Sequence, residues 1–198
     1  MNLKYSQDES RMSIVNAAQT ILRDLAGVQD ASGGASPLVH QSLSDVPLAV
    51  YSLGFEQLFQ AGILKDAVPI SWRVFVLNHH DEPVGAAEVT AGGGLNPPRF
   101  QSYNEGPQVA ASGIALSRAE SADDAGMYEP RFVEIPGIYT SALWLKNLGA
   151  GDDQIIPIKP IPGFLSKKAV YSPDEFLDLA RIQARQRMEF DDEPEKAR

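Results

Sequence analysis

Apolar side chains recur at helical spacing through residues 1–64, and from Ile70 to Leu145 the pattern changes to short β-rich runs broken by Gly, Pro, Asn and Asp. A last helical segment opens at Ser172. Helices, then strands, then a helix predict a segregated α+β fold, not the alternation of a doubly wound parallel sheet. We expect a mainly antiparallel sheet of about 4–6 strands within residues 70–158, packed against two N-terminal helices and one C-terminal helix and shielded by them on one side.

Ser6 and Glu9 have capping-box spacing, and Ile14, Ala18, Ile21, Leu22 and Leu25 then fall on one helical stripe, with Gly27 as a stop. Residues 28–45 turn to Ala, Ser, Gly and Gln and read as a flexible loop. A second helix is predicted over residues 47–61, since Leu48, Tyr51, Phe55, Leu58 and Phe59 recur at steps of three and four behind Pro47. Its aromatic stripe reads as core in preference to a ligand wall.

Residues 71–77 are β-branched and aromatic, residues 78–83 are polar and turn-prone, and residues 84–90 return, which predicts a hairpin. Gly85, Ala86 and Ala87 on the returning strand allow a helix to approach closely. Residues 108–117, 131–135 and 138–145 read as further strands, the last two flanking a reversal at Pro136 and Gly137. The isoleucines and prolines of residues 155–164 favour an extended path against the body. Ser172, Pro173, Asp174 and Glu175 open the last helix with a hydroxyl cap, a first-turn proline and two acids at the positive end of the helix dipole. Residues 1–190 are read as one domain and 191–198 as a disordered acidic tail.

Charge narrows the partners. Against 17 Lys and Arg stand 26 Asp and Glu, a formal net charge of −9 over 198 residues, which argues against nucleic acid or an anionic membrane and accommodates cationic partners more readily. The chain has no cysteine, so disulfides, thiolate nucleophiles and iron–sulfur clusters are excluded. No apolar run reaches the roughly 18 residues a membrane span needs, and a cytoplasmic, soluble protein is expected.

Cofactor and metal signatures are incomplete. Gly92, Gly93 and Gly94 lack the Gly-Lys-Ser/Thr end of a phosphate loop, and the acidic stretch 120–126 lacks calcium-loop spacing, so it reads as a solvated turn. His79 and His80 are adjacent and diverge in an extended segment, and the only other histidine is His40. No cofactor and no metal are expected.

Carboxylate and arginine chemistry remains open. Glu88, Glu105 and Glu134 lie in or beside predicted strands, with Arg73, Arg99, Arg118 and Arg131 as anion contacts. If the sheet presents one cleft, its large polar and amphipathic groups are Trp72, Arg73, Glu88, Tyr103, Arg118 and Trp144. These features favour a non-catalytic binding or protein-interaction module with an acidic surface, taking a protein partner or a small molecule, and compatible with a homodimer. The alternative is a small-molecule enzyme that uses carboxylate and arginine groups in a cleft between sheet and helices.

Overall fold

A computed structural model describes residues 1–5, 11–31, 41–59, 63–90, 97–166 and 168–191. In chain order its elements are β1 (Asn2–Leu3), α1 (Arg11–Ala31), β2 (Ser42–Leu43), β3 (Leu48–Ser52), α2 (Phe55–Phe59), β4 (Val68–Leu77), β5 (Pro83–Thr90), β6 (Arg99–Glu105), α3 (Pro107–Ser121), β7 (Met127–Ile135), β8 (Thr140–Asn147), β9 (Gln154–Pro157) and α4 (Pro173–Asp191).

The α+β class holds, but the sheet is larger and more mixed than the expected 4–6 antiparallel strands. Nine strands form one sheet in the order β6-β5-β4-β3-β7-β8-β9, with β2 added to β4 and β1 added to β7. Two pairings, β1 with β7 and β3 with β7, are parallel. The hairpin of β4 and β5 is antiparallel as predicted, with Arg73 opposite Glu88 and Val74 opposite Ala87. β7 and β8 likewise flank a short 3-10 turn over Pro136–Ile138.

Two elements differ in kind from the prediction. Residues 48–52 form a strand, not a helix: they pair with β4 on one edge and β7 on the other, and the consecutive burial of Leu48, Ala49 and Val50 fits a central strand covered on both faces. The register shift between Val50 and Tyr51 leaves Ile70 of β4 as the extra residue, so β3 itself stays regularly extended and the three-residue step from Leu48 to Tyr51 does not mark a helix. The helix begins only at Phe55 and ends at Phe59. The second difference is α3, a helix in place of the strand expected over residues 108–117. Pro107 stands in its first turn, and Val109, Ser112, Ala115 and Ala119 are buried at steps of three and four.

Alternation along the strands gives the sheet two covered faces, not one. On the first face Val74, Ala87 and Val89 pack against Ile14 and Ala18 of α1. Farther along that face Val133, Ala142, Trp144 and Ile155 pack against Phe176, Leu177, Ala180 and Ala184 of α4. On the second face Phe75, Ala86, Phe132 and Leu143 pack against Val109, Ala111, Ala115 and Ala119 of α3. Ala86 and Ala87 therefore each admit a helix, one on either side. Each fully buried Phe or Leu stabilises the fold by roughly 1.5–3 kcal/mol.

α4 carries the predicted cap. The Glu175 amide donates to the Ser172 hydroxyl and the Ser172 amide donates to the Glu175 carboxylate, each at 3.3 Å. α1 runs through Gly27 to Ala31, past the expected stop. The capping box at Ser6 and Glu9, residues 32–40 of the expected loop, the tail beyond 191, and the side chains of Ile21 and Leu25 lie outside the described residues.

β3 lies between β4 and β7 over only part of their length. Beyond it, β2 follows β4, with Ser42 opposite Leu77, while β1 follows β7, with Asn2 opposite Met127. The middle row of the sheet thus divides into two short strands, and α3 lies over that end.

Candidate functional site

The six residues singled out from the sequence do not share one cleft. Arg73 and Glu88 lie together on the α3 face, as cross-strand partners. Trp72 is next to Arg73 in an extended strand and so faces the other way, against the α1 cluster. Trp144 is on that same opposite face, where its indole N–H donates to Asp153 at 2.8 Å. The Arg131 guanidinium lies 5.0 Å from the ring centres of both Trp144 and Tyr51. Tyr103 stands on edge strand β6, its ring against Gly85. Its hydroxyl is buried and makes no hydrogen bond of good geometry among the described residues. Burial pushes that phenol far above its ordinary pKa, and the neighbouring Glu105 carboxylate adds to the shift. Arg118 is exposed in the last turn of α3.

Around Arg73 a compact ionic cluster forms. Its Nε donates to Glu88 Oε1 at 2.5 Å and its Nη2 to Glu134 Oε1 at 3.0 Å. The Ser71 hydroxyl donates to the other Glu88 oxygen at 2.6 Å. The guanidinium also lies 4.7 Å over the Phe132 ring. Arg73 therefore ties β4 to β5 and, across β3, to β7. Glu134 is among the carboxylates the sequence offers but not among the six, because its approach to Arg73 depends on the parallel β3–β7 pairing. Arg73 and Glu134 line an open cleft of about 290 Å³ with Gln108 and Ser141, and the Gln108 amide donates to the Ser141 hydroxyl at 3.2 Å.

A larger cleft lies on the same face, at the divided end of the sheet. It has a volume of about 880 Å³ and is open along one side. Val46, Leu48, Phe75 and Leu77 supply apolar surface from the sheet. One wall is the α3 stripe Ala110, Gly113, Ile114, Ser117 and Glu120, and another is the β4–β5 turn with His80, Asp81, Glu82 and Pro83. α3 comes close to the turn because Gly113 has no side chain: a methyl group there would overlap Pro83. Ile114 is 54% exposed in this groove.

The groove is acidic. Asp81, Glu82 and Glu120 line it, no Lys or Arg does so among the described residues, and none of the three is ion-paired there. Glu120 accepts the Tyr5 hydroxyl at 2.7 Å, a neutral partner that leaves the charge in place. Burial drives the Tyr5 phenol far above its ordinary pKa, and Glu120 reinforces the shift. Glu82 accepts from the Asn78 side-chain amide at 3.0 Å. The imidazoles of His79 and His80 pack with centroids 3.8 Å apart at the turn, and among the described residues no three His, Asp or Glu side chains are grouped to hold a metal ion.

The acidic stretch 120–126 holds a structural acid. Asp124 accepts from the Gly126 amide at 2.7 Å, from Gln154 at 2.9 Å and from the Tyr128 hydroxyl at 3.1 Å. The Gly126 amide above all, then the Gln154 amide, holds the Asp124 carboxyl below the usual carboxylate range.

The groove is hidden in the sequence because its main wall, α3, reads there as a strand, and because Asp81 and Glu82 read as an ordinary polar turn. The available signal is the i, i+3, i+4, i+7 recurrence of Ala110, Gly113, Ile114 and Ser117 behind a first-turn proline. No protein-family model matches this chain, and neither a curated protein nor a solved structure matches it. Among the described residues no helix is long and apolar enough to cross a membrane.

Proposed function

We propose that this protein is a non-catalytic binding module whose ligand site is the groove between α3 and the β4–β5 turn. The observation that carries this reading is the contrast between apolar surface left open in the groove and the closed state of the ionic cluster nearby. The partly exposed Leu77 and the exposed Ile114 present apolar surface at a concave site, which is where binding energy concentrates. Both oxygens of Glu88 are already occupied by Ser71 and Arg73, so that carboxylate holds strands together.

The reading is tested by selecting peptides from a displayed library against the intact protein and against an Ala110→Trp variant that fills the groove from the exposed side of α3. Selected peptides lose at least about tenfold in affinity for the filled variant while circular dichroism stays unchanged. Peptides that bind both proteins equally place the ligand elsewhere.

A second reading, a small-molecule enzyme, is favoured by one observation: two carboxylates, Glu88 and Glu134, converge on Arg73 beside an open cleft. A thermal-shift screen over metabolites followed by a turnover assay separates the two readings. A compound that stabilises the parent and is converted by it, with both effects lost in Glu134→Gln, supports the enzyme; stabilisation without conversion does not.

A further inference from the structure

We infer that the partner of the α3 groove is a polypeptide segment with a short apolar stretch flanked by basic residues. This rests on the groove being the binding site and adds the chemistry of what enters it.

Charge complementarity selects the partner. Asp81 and Glu82 stand on the turn wall beside His80, Glu120 stands on the helix wall, no Lys or Arg lines the groove, and none of the three acids is in an ion pair among the described residues. Three uncompensated carboxylates around a concave, low-dielectric surface focus a negative potential into the groove, which attracts Lys and Arg and repels acidic segments. Glu120 also lies in the last turn of α3, where the helix dipole adds partial negative charge.

Spacing then sets the shape of the segment. Pro83 rests on Gly113, seven residues before Glu120, so the two acidic ends lie roughly 10 Å apart along the helix. About three extended residues span that distance. Ile114 lies on the helix between Gly113 and Glu120, and with the partly exposed Leu77 it provides the apolar contact. An open trough of this kind suits a chain laid along it better than a small molecule, which needs most of its surface enclosed.

The experiment uses three fluorescent ten-residue peptides with a central Leu-Val-Leu flanked by Lys, by Ser or by Glu. Anisotropy is read with the full chain at low and high salt. The Lys peptide binds at least about tenfold more tightly than the Glu peptide, and its advantage shrinks as salt rises. The variant Asp81→Asn/Glu82→Gln/Glu120→Gln, which keeps a hydrogen-bond acceptor at each position, loses about tenfold for the Lys peptide and little for the Ser peptide. Equal binding of the Lys and Glu peptides, an unaffected triple variant, or no binding of the Lys peptide would overturn the inference. Ala110→Trp separates the two levels. If it abolishes Lys and Ser peptide binding while charge makes no difference, the groove stands and the basic partner falls; if it leaves Lys binding intact, both fall.

Discussion

Two clusters of acids lie beside α3 on the same face of the sheet, and they are built for opposite ends. Glu88 and Glu134 are held by Arg73, whose side chain is only 12% exposed, so their charge is consumed in tying β5 and β7 to β4. Asp81, Glu82 and Glu120 are in no ion pair among the described residues and line the open groove. Paired buried charges keep strands in register, whereas unpaired charges at a cleft leave a field that a partner can answer. Numbers of acidic residues do not distinguish these cases; the position of the nearest guanidinium does.

The largest effect comes from breaking the paired cluster. Arg73→Met leaves Glu88 and Glu134 facing each other without their cation and lowers stability by about 3–5 kcal/mol in urea unfolding. A loss under about 1 kcal/mol would mean that the cluster does not hold the strands. Next comes the hairpin that carries Arg73 and Glu88. A methyl group at Gly85 overlaps the Tyr103 ring, so Gly85→Ala costs roughly 1–3 kcal/mol, read by the same unfolding curves. Wild-type stability in that variant would show that the Tyr103 ring moves away from Gly85 at little cost.

Asp124 supplies a pH comparison with the groove acids. Its carboxyl is held below the usual range, so its contribution is present above the unfolded-state pKa and fades as pH falls through the depressed folded value. Asp124→Asn therefore lowers stability near neutrality and flattens its acid-side decline in pH-dependent thermal melts. An unchanged acid slope would contradict the hydrogen bonds from Gly126 and Gln154. The smallest effect belongs to the groove: Asp81→Asn/Glu82→Gln/Glu120→Gln stays within about 0.5 kcal/mol of the parent, because surface substitutions away from packed features rarely do more. A large loss there would make those acids structural.

What is legible in the sequence is local. The hairpin, the Pro136 and Gly137 reversal and the Ser172 cap each rest on a few contiguous residues, and the structure keeps all three. Hairpin pairing also brings Arg73 to Glu88. The failures need information that contiguous residues do not carry. β3 passes for a helix because its apolar residues Leu48 and Tyr51 fall in step with Phe55, Leu58 and Phe59 of the helical turn that follows, at spacings of three and four. α3 passes for a strand because its buried face beyond Val109 is made of Ala and Ser, whose small side chains give a weak periodic signal. Glu134 reaches Arg73 only across β3, a juxtaposition set by the parallel β3–β7 pairing. Trp72 is a different case, since strand alternation alone separates it from Arg73: neighbours in a strand point to opposite faces and cannot line one cleft.

The most direct measurement is a titration of isotope-labelled protein with the Lys-flanked peptide, followed through backbone amide chemical shifts. The amides of Asp81, Glu82, Gly113, Ile114 and Glu120 move together and saturate at one affinity, and those around Gln108 and Ser141 stay in place. Shifts centred on Gln108, Glu134 and Ser141, with the α3 groove silent, would contradict the account and point to the cleft beside Arg73.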